Sequence, residues 1–423
     1  MPGPEWDTLV IGAGVLGSAT AYHLKRADPD LRVLLLDRYP RPAMGNTRRS
    51  VALFRDLFTS STNRALAGST IEFLDHVEGE LGHSLGLKRY GYYWLMGSER
   101  MASLRGPLED LEGRGSRLEI HDEARVRSML GDGVVLEPGA PPGTGPMEPV
   151  AGAVLAVNGG TISPTRVARW YEAQFRGMGG QVEYGFTVER LVPESVSGGG
   201  PRVWEEGRVA AVEGPSGRRR AREMVVAAGA WTPSLLDDVG IDTHARPQTR
   251  QAFGLVGDGA RALHEGNGFE RGRLPVLALP SAGVYLKPIR SQRMLLAGCA
   301  DTFGRPFRLE EDPQAEPEFL DRQIRPVVEA YLPGMKGSDA RVSWAGQYHT
   351  STTDGNPYVF KQANVTVVAG ASGSGIMKSD AIGRVATAVH LGEGSAELFG
   401  GRSLHVSDLG VAERNVEPEA LMI

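Results

Sequence analysis

The sequence predicts an α/β protein in which a parallel, nucleotide-type layer is assembled from separate stretches of chain, with largely antiparallel material between them. Three observations carry this. Residues Thr8–Asp37 read as strand, glycine turn, helix and second strand. Apolar strands that break into glycine turns and helices recur at Met224–Leu236 and from Val365 to Leu391. Between them, Leu87–Met96, Ala245–Val256 and Val276–Gly298 are β-favouring. Such interleaving implies a domain built from several segments.

The first unit opens on a short apolar run, Leu9–Ile11, and Gly12, Gly14 and Gly17 follow in the spacing G-x-G-x-x-G. Gly12 allows a tight turn, Gly14 lets the backbone approach a pyrophosphate, and Gly17 lets helix and strand pack closely. Ser18–Lys25 forms a helix of small and apolar residues, whose free N–H groups and positive dipole end suit phosphates. Val33–Leu36 is a second strand ending on Asp37, a carboxylate placed to accept hydrogen bonds from both hydroxyls of an adenosine ribose. An ordinary glycine-rich turn would leave Asp37 unexplained.

A loop, Arg38–Thr47, leads to the arginine-rich stretch Asn46–Arg55 and then to a helical pattern from Ser61 to about Leu81. Polar helices are expected over Glu99–Arg114 and Glu123–Met129. Pro138–Pro149 is a long proline- and glycine-rich loop. A proline-started helix and a strand follow Gly160, and Arg202–Val212 pairs with Arg219–Ala227 as a hairpin. Glu316–Leu332 reads as a helix stopped by Pro333–Gly334, and Ser379–Leu391 as another.

The chain of 423 residues carries a net charge of -5, with 41% hydrophobic and 23% charged residues, a soluble globular balance without a basic stripe for nucleic acid. The single cysteine, Cys299, excludes an internal disulfide and a multi-cysteine metal or iron–sulfur centre, and no metal site is expected. No apolar run reaches the length of a membrane span, and the amino terminus lacks the charged and apolar regions of a signal peptide. The expected compartment is the cytoplasm.

Four stretches, in order, resemble the D-amino-acid oxidase superfamily of flavoproteins, especially its glycine oxidase, sarcosine oxidase and amine dehydrogenase members. They are Gly12–Asp37, AAGAWTPSL, WAGQYHTSTTDGNPYV and AGASGSGIMKSDAIGR; GGTISPTRV is similar to the family's helix entry. The resemblance implies a discontinuous Rossmann-like FAD-binding domain (1–86, 158–232 and 340–423) and a mixed, largely antiparallel β-sheet substrate domain (87–157 and 233–339). FAD would meet Gly12, Gly14, Val15, Leu16, Gly17, Asp37 and Arg38 in the first unit, and Arg49, Ser50, Val51 and Ala52 beneath the ring. Val188, Ala228, Gly229, Trp231 and Gly346 would complete the middle of the site, and Gly373, Gly375, Ile376, Met377 and Lys378 the final turn. The amides of Gly370, Gly373 and Gly375 would approach the flavin O2 or the ribityl chain. Arg48 and Arg49 would cradle the pyrophosphate or face solvent.

The same resemblance places Arg55 at the substrate carboxylate, which a guanidinium can hold bidentately; a structural ion pair is the alternative reading. Tyr348 would orient the substrate or be a satisfied buried phenol. His349, its neighbour, points to the opposite face of an extended strand and is left out of the catalytic set. Gly346 stands where some sarcosine oxidases carry a flavin-linking cysteine, so FAD should be noncovalent. The lysine that assists oxygen in those oxidases is expected near Leu295–Leu296, where none stands, which favours a dehydrogenase. The implied activity is oxidation of a C–N bond in a small amino acid or N-methyl amino acid, by hydride transfer from the neutral amine. An external electron acceptor and homo- or hetero-oligomers are compatible with it. The alternatives are a 2-hydroxy-acid dehydrogenase and the flavin subunit of an amine or proline dehydrogenase complex.

Overall fold

The computed structural model describes residues 5–419 and 421; the amino-terminal reading falls mostly on residues 1–4, outside them. Strand β1, Trp6–Ile11, runs into helix α1, Val15–Ala27, and strand β2, Val33–Asp37. Leu9, Val10, Leu35 and Leu36 are fully buried, as an apolar run sandwiched on both faces requires. Gly12 has φ +105, and a Cβ on Gly17 would lie 1.8 Å from the Gly12 carbonyl oxygen. The first glycine makes the turn and the third lets α1 touch it.

Six more strands complete the sheet around this pair. β2 pairs in parallel with Gln181–Tyr184, β1 with Gly217–Val226, and that strand with Val365–Ala369. The hairpin strands Arg190–Ser195 and Gly207–Gly214 extend the sheet antiparallel, as does Tyr358–Gln362 beside Val365–Ala369. Helix α1 lies between Pro164–Gly177 and Ser379–Leu391. The approach to the latter is close because Gly383 has no side chain: a Cβ there would be 3.0 Å from the Ala19 backbone.

The second sheet has eight strands in the order Asp339–Ser351, Ala245–Val256, Met294–Cys299, Val284–Ile289, Val276–Ala278, Tyr92–Met96, Gly152–Ala156 and Leu118–Asp122. Only Val276–Ala278 and Tyr92–Met96 pair in parallel, so this sheet is mixed and largely antiparallel. One expected boundary is corrected here. Residue 340 was to open the last piece of the dinucleotide domain, but Asp339–Ser351 hydrogen-bonds along its length with Ala245–Val256 in the second sheet.

Several elements differ locally from the sequence reading. Leu87–Met96 is split into Lys88–Arg89 and Tyr92–Met96 at Gly91, which has φ +86. The expected helix Glu316–Leu332 becomes Pro317–Phe319, a π turn at Leu320–Ile324 and Arg325–Tyr331. Pro326 lacks the N–H that a continuous α-ladder would need there. Among the described residues no helix is long and apolar enough to cross a membrane.

Candidate active site

A single long cavity runs along the carboxyl ends of the parallel strands, where open α/β sheets bind ligands. Ile11 and Gly12, Asp37, Phe186, Ala227–Trp231 and Val368–Gly370 all line it at or just beyond a strand end. Its far end is closed by the second sheet through Arg250, Tyr285, Trp344, Gly346 and Tyr348.

At the dinucleotide end, the Asp37 carboxylate accepts the Ala13 amide at 2.6 Å and the Tyr39 amide at 2.8 Å. Burial pushes its pKa up, and those two amides pull it back. Helix α1 has no acidic side chain in its first turn, so its positive end meets the cavity uncompensated. Val15 N–H is taken by Thr47 Oγ1 at 3.1 Å. Arg38 lies 4.4 Å over the Trp231 ring, and both reach Glu311, at 2.5 Å and 2.8 Å respectively. Arg49 bonds Asp312 at 2.7 Å; residues 311 and 312 thus bridge the mouth from the second sheet's connection.

The polar lining fits a flavin dinucleotide. Asn46 Nδ2, Arg49 Nη1, Arg250 Nε and His349 Nε2 are buried without a hydrogen-bond partner, and all four residues line the cavity. Orphaned donors in one cleft are expensive unless a ligand supplies their acceptors. The lining holds Gly12, Gly14, Val15, Leu16, Asp37, Arg38, Arg49, Ser50, Val51, Val188, Ala228, Gly229, Trp231, Gly346, Tyr348, Gly373, Gly375 and Ile376. Arg48 is exposed and lies outside it.

Five expected residues do not line the cavity. Gly17 is consumed by the contact of α1 with Gly12. Ala52 is turned away at φ +60, with its carbonyl on Ile162 N–H. Met377 packs against the core between the sheet and its helices. Lys378 is buried with Nζ 2.6 Å from Asn63 Oδ1. Arg55 is buried behind the cavity, 4.2 Å over Phe58 and 5.0 Å over Trp94, and donates to the carbonyls of Leu57 (3.3 Å) and Leu421. Its alternative reading, an ion pair, also fails: among the described residues no carboxylate lies within ion-pair distance of Arg55 or Lys378.

Two cations therefore share a dry compartment. Burial lowers the pKa of Arg55, and burial together with Arg55 lowers that of Lys378 to about 7, while the Glu419 carboxylate pulls both part of the way back. The Tyr92 hydroxyl and Trp94 Nε1 beside them are buried and unpartnered. Tyr92 is within electrostatic reach of both Arg55 and Tyr348, so this compartment adjoins the Tyr348 end of the cavity.

Three further expectations are refined. The Gly370 amide faces His349 Nδ1 at 3.4 Å rather than standing free, and the last helix begins only at Ser379, four residues past Gly375. The Tyr348 ring lies against Gly373, where a Cβ would come within 2.3 Å of it, and Gly346 is similarly filled by Arg49, whose Cβ is 2.8 Å from the place a side chain would take. Leu295 and Leu296 carry no lysine, but Lys287 stands directly across from Leu296 on the neighbouring strand, with Nζ 2.5 Å from the Val51 carbonyl. Burial brings its pKa down to about 8.

Sequence reasoning missed Asn46, Thr47, Arg250, Tyr285 and Glu311. Asn46 had a signal, since its Oδ1 takes the Gln347 amide at 2.9 Å and it sits in the same polar run as Arg49. Arg250, Tyr285 and Glu311 lie in strands and a connection with no motif, and only the folding of the second sheet over the first brings them in.

The family model described as DAO, FAD dependent oxidoreductase, matches residues 7–389. The chain is 23% identical over 401 residues to glycine oxidase of Bacillus licheniformis, covering 92% of this chain and 94% of that protein. It is 24% identical over 391 residues to monomeric sarcosine oxidase of Bacillus sp. (strain B-0618), with coverage of 90% and 91%. The crystal structure of L-proline dehydrogenase from P. horikoshii shares the fold, with a TM-score of 0.73 at 18% identity, over 93% of this chain and 95% of that one.

Proposed function

The chain belongs to the DAO family of FAD-dependent oxidoreductases, and from that premise we propose that it oxidises the C–N bond of a small amino acid or N-methyl amino acid. The observation that carries this reading is the pair of buried cations, Arg55 and Lys378, whose hydrogen-bond partners are neutral oxygens, the Glu419 carboxylate acting on both only from beyond ion-pair distance. A buried charge whose counter-charge stands beyond direct contact is costly. A substrate carboxylate is the anion that would complete the compartment, and Arg55 can take it through two parallel N–H bonds.

Bound FAD would supply the two-electron acceptor. The residues that would hold it are those lining the cavity, with Asp37 at the ribose and the first turn of α1 at the phosphates. No thiol lines the cavity, and the one cysteine, Cys299, is buried elsewhere, in keeping with noncovalent attachment. The protein's part is positional. Arg55 and Lys378 fix the carboxylate, Tyr348 orients the reacting carbon, and the aromatic walls of Tyr92, Trp94 and Tyr285 exclude water. Both tyrosine hydroxyls on that wall, Tyr92 and Tyr285, are held neutral by burial and offer hydrogen bonds without taking a proton. The substrate amine has to be neutral for its α-hydrogen to leave with the electron pair. No side chain need act as base.

The test is anaerobic flavin bleaching against amino acids, N-methyl amino acids and 2-hydroxy acids, repeated with Arg55→Lys and Arg55→Ala. Removing one partner of a buried charge pair costs about 2–5 kcal/mol, or roughly thirty-fold to several-thousand-fold in kcat/KM. A simple amine without a carboxylate should be indifferent to the substitution. Equal slowing of both substrates, or no effect on either with FAD bound, would show that Arg55 is structural.

A further inference from the structure

The compartment of Arg55 and Lys378 already has an occupant. Glu417, Glu419 and Leu421 come back to the start of the helix Ser61–Gly79 and its flanking residues. Glu417 accepts the Ser61 amide at 2.8 Å. One oxygen of Glu419 accepts the Thr59 amide (3.0 Å) and hydroxyl (2.8 Å), and the other accepts the Ser60 amide (3.2 Å) and Asn63 Nδ2 (3.3 Å). Carboxylates at a helix amino end are well placed to anchor a segment. Glu419 also accepts the Leu421 amide at 2.8 Å, which turns Leu421 inward. The Leu421 side chain is fully buried with Leu57, Tyr92 and Trp94, and its carbonyl takes Arg55 Nη2.

A neutral carbonyl is a poor partner for a desolvated guanidinium compared with a carboxylate, since a bond between two charged groups is about twice as strong. It also engages one terminal nitrogen where a carboxylate would engage two. Yet it is tethered, and a tethered group competes at an effective concentration that free ligand has to match. Lys378 sits on the same side, sharing the Phe58 ring with Arg55 and the Asn63 side chain with Glu419.

We propose that Glu417, Glu419 and Leu421 form an internal competitor: a strap, anchored by the two carboxylates, whose Leu421 carbonyl and side chain hold the place of the substrate's carboxylate and side chain, and which leaves when substrate binds. This rests on the reading of Arg55 as the carboxylate site. The strap sets an apparent affinity lower than that of the open compartment, because binding has to work against its release. It also makes the strap's exposure a direct report of occupancy.

The experiment uses the holoenzyme and propionate, a carboxylate with no amine to oxidise, titrated by the change in flavin absorbance. Removing residues from 417 onward should tighten propionate tenfold or more, and Glu419→Gln, which weakens the anchor while keeping the chain, should tighten it by a smaller factor. In a Leu421→Cys variant the introduced thiol should react slowly with a disulfide reagent, and at least tenfold faster with saturating propionate; propionamide should not accelerate it. The native Cys299 is buried and gives a low background. Propionate that binds equally well or worse without the strap, or that leaves the thiol protected, overturns the proposal and makes Glu419 and Leu421 a fixed wall, while the carboxylate reading survives. Propionate that binds neither the full chain nor either strap variant overturns both.

Discussion

Replacing Asp37 with Ala separates two jobs held by one carboxylate. In the folded chain each oxygen accepts one backbone amide, Ala13 at 2.6 Å and Tyr39 at 2.8 Å, which leaves each with capacity for a further hydrogen bond at the cavity that Asp37 lines. Removal orphans both amides. Ala13 is fully buried, so its N–H bears the desolvation penalty of about 1–3 kcal/mol, whereas Tyr39, which is half-buried, can turn to water. The apoprotein should therefore lose about 1–3 kcal/mol of stability, read by urea unfolding. Separately, the ribose loses hydrogen bonds to a charged acceptor, about 1.5–3 kcal/mol, which weakens FAD by about tenfold to 150-fold in Kd. Fluorescence titration of apoprotein with FAD measures the second effect alone. Asp37→Asn should fall between, since only one of its end atoms accepts a hydrogen bond. A Kd within threefold of the parent, in an apoprotein that has lost stability as stated, would refute the ribose role and leave Asp37 as a turn residue.

Two further outcomes follow from packing and burial. Gly17→Ala puts a methyl 1.8 Å from the Gly12 carbonyl oxygen; helix α1 has to shift, at a cost of about 1–3 kcal/mol or more, so the urea midpoint should fall and FAD affinity with it, and an unchanged midpoint would contradict the close contact. His349 and His390 are both pushed down to about 4 by burial, so each is neutral in the fold and takes up its proton first in the unfolded chain. Their stabilisation is complete above the ordinary histidine value and drains as pH falls towards 4, by on the order of 3 kcal/mol each. His390, held between Thr8 and Thr366 at 3.0 Å and 3.1 Å, is not among the cavity-lining residues; His390→Gln should flatten the loss of stability between pH 6.5 and 4.5, measured by urea unfolding, and an unchanged slope would show that the group already titrates normally.

Much of the dinucleotide half was legible because it is local. The turn at Gly12, the helix behind it and the carboxylate after β2 lie within one short stretch, and each answers a steric or electrostatic demand that neighbouring residues alone impose. The strands Ala245–Val256 and Val365–Ala369 and the helix Ser379–Leu391 coincide with their expected spans for the same reason: apolar runs and glycine breaks are short-range signals. What only the tertiary structure decided is non-local. Lys287 comes opposite Leu296 by strand pairing, and Arg250 and Tyr285 reach the cavity because the second sheet closes over the first. Arg55 was identified by its place in a run of residues, but its surroundings come from Leu421, 366 positions away. No pattern in a sequence states which distant carbonyl will meet a guanidinium, because that is settled by the packing of whole layers and not by the preference of any one residue.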